Sequence, residues 1–107
     1  MPVMANDFEK AYASGNKVLV YFYSPNCISC DKFNPVYFEI QKTRKDLQCV
    51  RINVDNREGE KMFRRYHGFY IPYLVLTSSK SKKTVSIPLN CAYDDMCLER
   101  VVKGFKN

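Results

Sequence analysis

Lys17-Val18-Leu19-Val20-Tyr21-Phe22-Tyr23-Ser24-Pro25-Asn26-Cys27-Ile28-Ser29-Cys30 is the stretch whose reading decides the fold. Its first half is a continuous β-branched and aromatic run, bounded by Gly15-Asn16 and Ser24-Pro25. A run without polar alternation reads as a strand buried on both faces, as in the middle of a sheet covered by helices. Its second half opens a helix that the pattern predicts from about Cys27 to Arg44. Phe33, Tyr37 and Ile40 recur there at spacings of four and three, on one face. Pro35 falls inside the pattern and predicts a kink. Cys27 and Cys30 thus lie where a buried strand passes into a helix. Residues three apart on a first helical turn share a face, so their sulfurs can close a disulfide. The free N–H groups and dipole of a helix N-terminus stabilise a thiolate at the first position. Cys27 is therefore expected as the exposed nucleophile and Cys30 as the recessed thiol that resolves a mixed disulfide. A buried or metal-bound pair is the other use of such a motif, and the strand-to-helix position favours the redox one.

Working outward, Asn6-Asp7-Phe8-Glu9 predicts a helix start, with Asn6 as N-cap, Glu9 closing a capping box and Gly15 ending the helix. Leu47 to Val54 is a second strand, Val50, Ile52 and Val54 alternating with Arg51 and Asn53. Glu58 to Tyr66 is a further helix, broken by His67-Gly68. Tyr73 to Thr77 and Thr84 to Ile87 are strands joined by a short Ser/Lys turn, which makes them an antiparallel hairpin. Asp94-Asp95 opens a last helix with Leu98, Val101, Val102 and Phe105 as its apolar stripe. Strands joined through helices are expected to run parallel, with the hairpin as an antiparallel edge. The fold class is α/β, a four-stranded mixed sheet flanked by helices on both faces.

At 107 residues the chain is expected to be a single domain, residues 1–107. With 46% hydrophobic and 14% aromatic residues it can bury a core, which excludes disorder, and five cysteines are too few for a disulfide-built scaffold. No apolar run approaches the roughly 20 residues of a membrane span. Met1-Pro2-Val3-Met4-Ala5 shows no signal segment. The net charge is +6, and basic clusters occur at Lys42-Thr43-Arg44-Lys45, Arg64-Arg65 and Lys80-Ser81-Lys82-Lys83, dispersed with acids between them. That dispersal reads as solvated surface, and no nucleic-acid partner is expected.

The motif in context resembles the thioredoxin family. The resemblance is carried by VLVYFYSPNCISC, by Pro35 five residues past Cys30, by Arg51-Ile52-Asn53-Val54-Asp55, and by Ile71-Pro72 before Tyr73-Leu74-Val75-Leu76. It implies the thioredoxin fold and a thiol–disulfide oxidoreductase acting on protein disulfides, with Cys27 and Cys30 catalytic. It also implies a cis Pro72 beside the pair and an Ile71 backbone that pairs with substrate. Asn26, where the family usually has Trp, and Cys91, where the family has a glycine on a groove-lining loop, complete the implied substrate-binding set. The chain departs from the family in three further places. Ile28-Ser29 replaces Gly-Pro. Tyr21 stands where the family's reductases bury an acid, and tyrosine is a poor base with its pKa near 10. The family's first strand is missing. This shortened layout resembles domains of bacterial thiol–disulfide exchange systems, several of which work outside the cytoplasm. A cytoplasmic location, or a periplasmic one for a chain trimmed of a signal segment, therefore stays open.

Of the other cysteines, Cys49 is expected as a small buried hydrophobe. Cys97 falls on the first turn of the last helix and Cys91 in the loop before it. A second disulfide between them and a pair of unpaired thiols are both open, as is an exchange between Cys91 and the active pair. A zinc site built from Cys27, Cys30 and two of Cys91, Cys97 and His67 fits metal-ligand spacing poorly, so no metal is expected. His67 reads as a helix-terminating surface residue. Phe69, Tyr70 and Tyr73 flank Ile71-Pro72, some as core and the rest as an apolar rim for an extended protein substrate. No cofactor is expected, so a protein electron donor would serve a monomeric enzyme that reduces substrates more than it oxidises them. The reading of another class is a thioredoxin-fold protein-binding module without redox turnover.

Overall fold

The structure, a computed structural model, describes residues 3–107. Among the described residues nine elements follow one another: α1 (Val3–Ala13), β1 (Lys17–Tyr23), α2 (Ile28–Thr43), β2 (Leu47–Asn53), α3 (Arg57–Arg65), β3 (Tyr73–Ser78), β4 (Lys83–Ile87), α4 (Leu89–Ala92) and α5 (Asp95–Gly104). The strands form one sheet in the order β2-β1-β3-β4.

The apolar run 17–23 takes an inner position because no polar side chain interrupts it. Leu19 and Tyr21 point into one layer with Phe33, Tyr37 and Ile40 of α2, Leu98 and Val102 of α5, and Phe105 at the C-cap of α5. Val18, Val20 and Phe22 point into the other, with Phe8 and Ala11 of α1 and Met62 of α3. β3 is buried along its whole length, with Leu74 and Leu76 in the first layer and Tyr73 and Val75 in the second. The edge strand β4 buries only Ile87. This is the α/β fold with a four-stranded mixed sheet between two helical layers.

Three expectations are corrected. The helix α1 already runs from Val3, so Asn6 lies within it rather than before it. The capping contact expected of the Asn6 side chain lies outside the described side chains. Gly15 does end that helix, at φ 80°, where a Cβ would be strained. Second, the rule that strands joined through helices run parallel holds for β1 and β2 but fails for β3, which runs antiparallel to β1. The nine-residue α3 is followed by an irregular segment over 66–72, and β3 enters the sheet with Tyr73 beside Phe22. It therefore starts at the end where β1 leaves for Cys27. Third, residues 89–92 form the short helix α4 where a loop was expected.

Local chemistry explains the remaining boundaries. The Asn56 side chain accepts the Gly59 N–H at 2.7 Å and caps α3. Gly59 is required there, because a Cβ would meet the Asn53 carbonyl oxygen at 1.8 Å. Asp94 caps α5 by accepting the N–H groups of Met96 and Cys97. His67, at φ 63° and exposed, turns the chain after α3. The helix α2 continues through Pro35 to Thr43, and Arg44 at its C-cap pairs with Glu99 of α5 at 3.0 Å.

Candidate functional site

The end of β1 delivers Cys27 to the N-cap of α2 with extended backbone (φ −111°, ψ 110°). Its sulfur accepts the Cys30 N–H at 3.0 Å, so one of the otherwise unpaired amides of the first turn points at it. Cys27 and Cys30 are disulfide-bonded, with Cα atoms 5.1 Å apart. Cys27 is half-buried and Cys30 is buried. That is the order of exposure that a nucleophile and a resolving thiol need.

The residues around the pair are held by bonds that the linear sequence does not announce. The Ser24 hydroxyl donates to Asp55 Oδ2 at 2.6 Å and accepts the Asn26 N–H at 3.3 Å, tying the approach to Cys27 to the end of β2. Asn26 itself is exposed, as is Ile28 within the motif. Beneath the pair lies Tyr21, whose hydroxyl donates toward Asn34 Oδ1 at 2.7 Å and the Cys30 carbonyl oxygen at 3.3 Å. Burial pushes its pKa up to about 12, so it is a neutral hydroxyl at physiological pH. Ser24, Asn34 and Asp55 escaped the sequence reading. Their contacts join residues up to 31 apart, and nothing local marks them.

The Ile71–Pro72 peptide bond is cis. Ile71 is half-buried and packs, like Cys27, against the core cluster that contains Cys30. Of the aromatic residues around it, Tyr73 is core, its hydroxyl donating to the Tyr66 carbonyl at 2.7 Å. Phe69 is 83% exposed and Tyr70 39%, stacked edge to face on one another with centroids 5.0 Å apart. With Ile28 at 77%, they put exposed apolar surface both on the motif and on the chain leading to Pro72.

Cys91 departs from its expected setting. It lies in α4, is buried, and is disulfide-bonded to the half-buried Cys97 with Cα atoms 5.1 Å apart. Its side chain is turned into the core rather than toward a groove. Cys49 is half-buried and free, and burial pushes its pKa up to about 11, which keeps it a thiol. Opening the short Cys91–Cys97 loop is expected to cost about 2 kcal/mol on the chain-entropy scale. In a chain of this size that is a fall in Tm of roughly 10 °C. The double variant Cys91→Ala/Cys97→Ala, melted beside the parent, measures it. An unchanged Tm would show that the bond does not restrain the unfolded chain.

A family model described as Thioredoxin matches residues 1–91. The chain belongs to the thioredoxin family. No curated protein matches it. Among solved structures it is similar to mitochondrial thioredoxin 3 of Saccharomyces cerevisiae in its oxidised form. The TM-score is 0.72 at 19% identity, covering 94% of this chain and 90% of that one. Thioredoxin from Fasciola hepatica superposes with TM-score 0.71 at 20% identity, covering 95% and 94%. Thioredoxin O2 from Arabidopsis thaliana, also oxidised, gives 0.68 at 17% identity over 98% and 88%. At such identities these likenesses speak to the fold, and they agree with a thioredoxin sheet between two helical layers. Thioredoxin-family chemistry is thiol–disulfide oxidoreduction, and this member carries a close Cys-x-x-Cys pair at its strand-to-helix junction.

Proposed function

We propose that this thioredoxin-family chain is a protein disulfide reductase, with Cys27 as nucleophile and Cys30 as resolving thiol. The observation that carries the reading is the N-cap seat of Cys27. Its sulfur faces the Cys30 amide, and a helix dipole and a hydrogen bond to sulfur both favour a thiolate over a thiol. The Cys27 thiolate attacks a substrate disulfide, and the displaced substrate sulfur leaves as a thiolate. Cys30 then attacks Cys27, the Cys27–Cys30 bond forms, and the second substrate sulfur is released. Two electrons pass to the substrate, and a protein donor of dithiol chemistry must return them.

Substrate docking is assigned to the Ile71 backbone before Pro72, to Asn26, and to the exposed faces of Ile28, Phe69 and Tyr70. Extended chain can lie along such backbone, with apolar side chains on the aromatic rim. Cys91 supplies backbone at most, because its side chain is buried. The partners are then protein disulfides, and the chain acts as a monomer.

The midpoint potential of the pair tests the direction of flow. It is read by alkylating free thiols across a glutathione or dithiothreitol series. A reductase is expected near about −270 mV, whereas an oxidase or isomerase would lie near about −120 to −180 mV. A value in the second range would reverse the proposed direction while leaving the residues in place. Cys91–Cys97 must be removed, or followed separately by mass, so that its thiols do not blur the titration.

A further inference from the structure

We propose that the Tyr21 hydroxyl, with the Asn34 side chain, is the positioning device of the resolving cysteine, anchoring the Cys30 carbonyl and the first turn of α2 to an inner strand. The inference rests on the roles of Cys27 and Cys30 given above.

The geometry is closed around one atom. Tyr21 is fully buried, and its ring is held edge-on by Phe33 at 5.1 Å, with Tyr37 at 5.0 Å and Tyr23 at 5.8 Å between centroids. Its oxygen then has one place to be, between the Cys30 carbonyl at 3.3 Å and Asn34 Oδ1 at 2.7 Å. A hydroxyl has a single proton to give. With the Asn34 amide turned about, its NH2 donates into the hydroxyl, which is then free to donate to the Cys30 carbonyl. In the first orientation the two acceptors share that one proton, and in the second the Cys30 carbonyl receives it alone; either way the hydroxyl sits on β1 against residues 30 and 34 of α2. The resolving step needs the Cys30 sulfur to approach Cys27 in line with the bond that breaks, and sub-ångström misplacement slows such a step. A tether on the Cys30 backbone acts on that approach, and leaves the outward attack by Cys27 alone.

The tether is neutral. The groups facing it are Arg51 of β2, which favours ionisation, and Tyr93 after α4, Asp31 of α2 and Tyr23 of β1, which oppose it. Burial outweighs them all and keeps the proton on oxygen. Tyr21 therefore holds a bond and relays no proton. As Cys30 attacks, its own proton passes to water, the Cys27–Cys30 bond forms, and the bond from Cys27 to substrate breaks. The departing substrate thiolate takes a proton from water.

Single-turnover kinetics with insulin as disulfide substrate separates the two steps. Mixed-disulfide formation is followed in the Cys30→Ser background, with and without Tyr21→Phe. Resolution is followed as decay of the mixed disulfide, read by mass, in the variants that retain Cys30. Tyr21→Phe is expected to leave mixed-disulfide formation unchanged and to slow resolution about tenfold, the scale set by one hydrogen bond. Asn34→Ala, at a half-buried position, is expected to slow the same step to a smaller extent. The pH profile of resolution should keep its shape in both variants. Parental resolution rates in both variants would overturn the proposal. So would equal slowing of both steps in proportion to lost stability, which marks a merely structural role, or a changed pH profile, which marks a proton carrier. Failure of Cys30→Ser to trap any mixed disulfide would overturn the reading of the pair itself, and the tether with it.

Discussion

Replacing Cys27 with serine is expected to bring reduction of a protein disulfide down to the uncatalysed rate, with the fold unchanged. The sulfur is half-buried at the N-cap of α2, and a serine hydroxyl caps a helix as well as a thiol does. What the change removes is the nucleophile proposed above. A thiolate attacks sulfur readily, whereas a hydroxyl stays protonated at neutral pH and does not enter thiol–disulfide exchange. Cys30→Ser is expected to differ in kind, completing the first step and accumulating a mixed disulfide visible by mass. Turnover of insulin by the two variants, beside their melting curves, checks both statements. If Cys27→Ser reduced insulin at the parental rate, Cys27 would not be the nucleophile. If neither variant lost activity because the parent had none, while a partner protein still bound, the chain would be a binding module on the same fold.

The second large effect is on stability. Phe33→Ala is expected to cost about 3–5 kcal/mol, the range for deleting a buried aromatic ring. Phe33 is fully buried on α2, edge-on to Tyr21 at 5.1 Å and to Tyr93 at 5.5 Å. It joins the helix that carries the cysteine pair to the central sheet on one side and to the end of α4 on the other. A cavity there cannot collapse easily, because strand and helix are both fixed by other layers. Domains of this kind have only about 5–15 kcal/mol in total, so the variant should unfold at a much lower urea midpoint with unchanged slope. A loss below about 1 kcal/mol would mean that α2 is not packed on the sheet through this ring.

Both experiments probe parts of the chain that were legible in the sequence. Much of the α2 face was written plainly: Phe33, Tyr37 and Ile40 recur at helical spacing and all three are buried. The strand before it was equally plain, because an uninterrupted apolar run suits only an interior position. The Cys-x-x-Cys pair was legible for the same reason, since its meaning depends on local context that the flanking strand and helix supply. By contrast, hydrophobic periodicity says that residues 73–77 form a strand but carries no sign of its direction. The Asn6 boundary misled because a capping signature is a local preference, and helical backbone already runs through that position. The short α4 escaped because four residues give no period to read.

By itself, then, the sequence determined the type of every longer element, the interior place of β1, the helix that seats Cys27, and the resemblance to the family. Those follow from side-chain period, turn chemistry and a motif within a few residues of chain. Only the tertiary structure decided that β3 opposes β1 and so returns Ile71–Pro72 to the cysteine end. It also paired Cys91 with Cys97, tied Ser24 to Asp55, and set the Tyr21 hydroxyl between Asn34 and the Cys30 carbonyl. These are mostly contacts between residues far apart along the chain. Their energy is realised only once the sheet has formed, and no local preference encodes them.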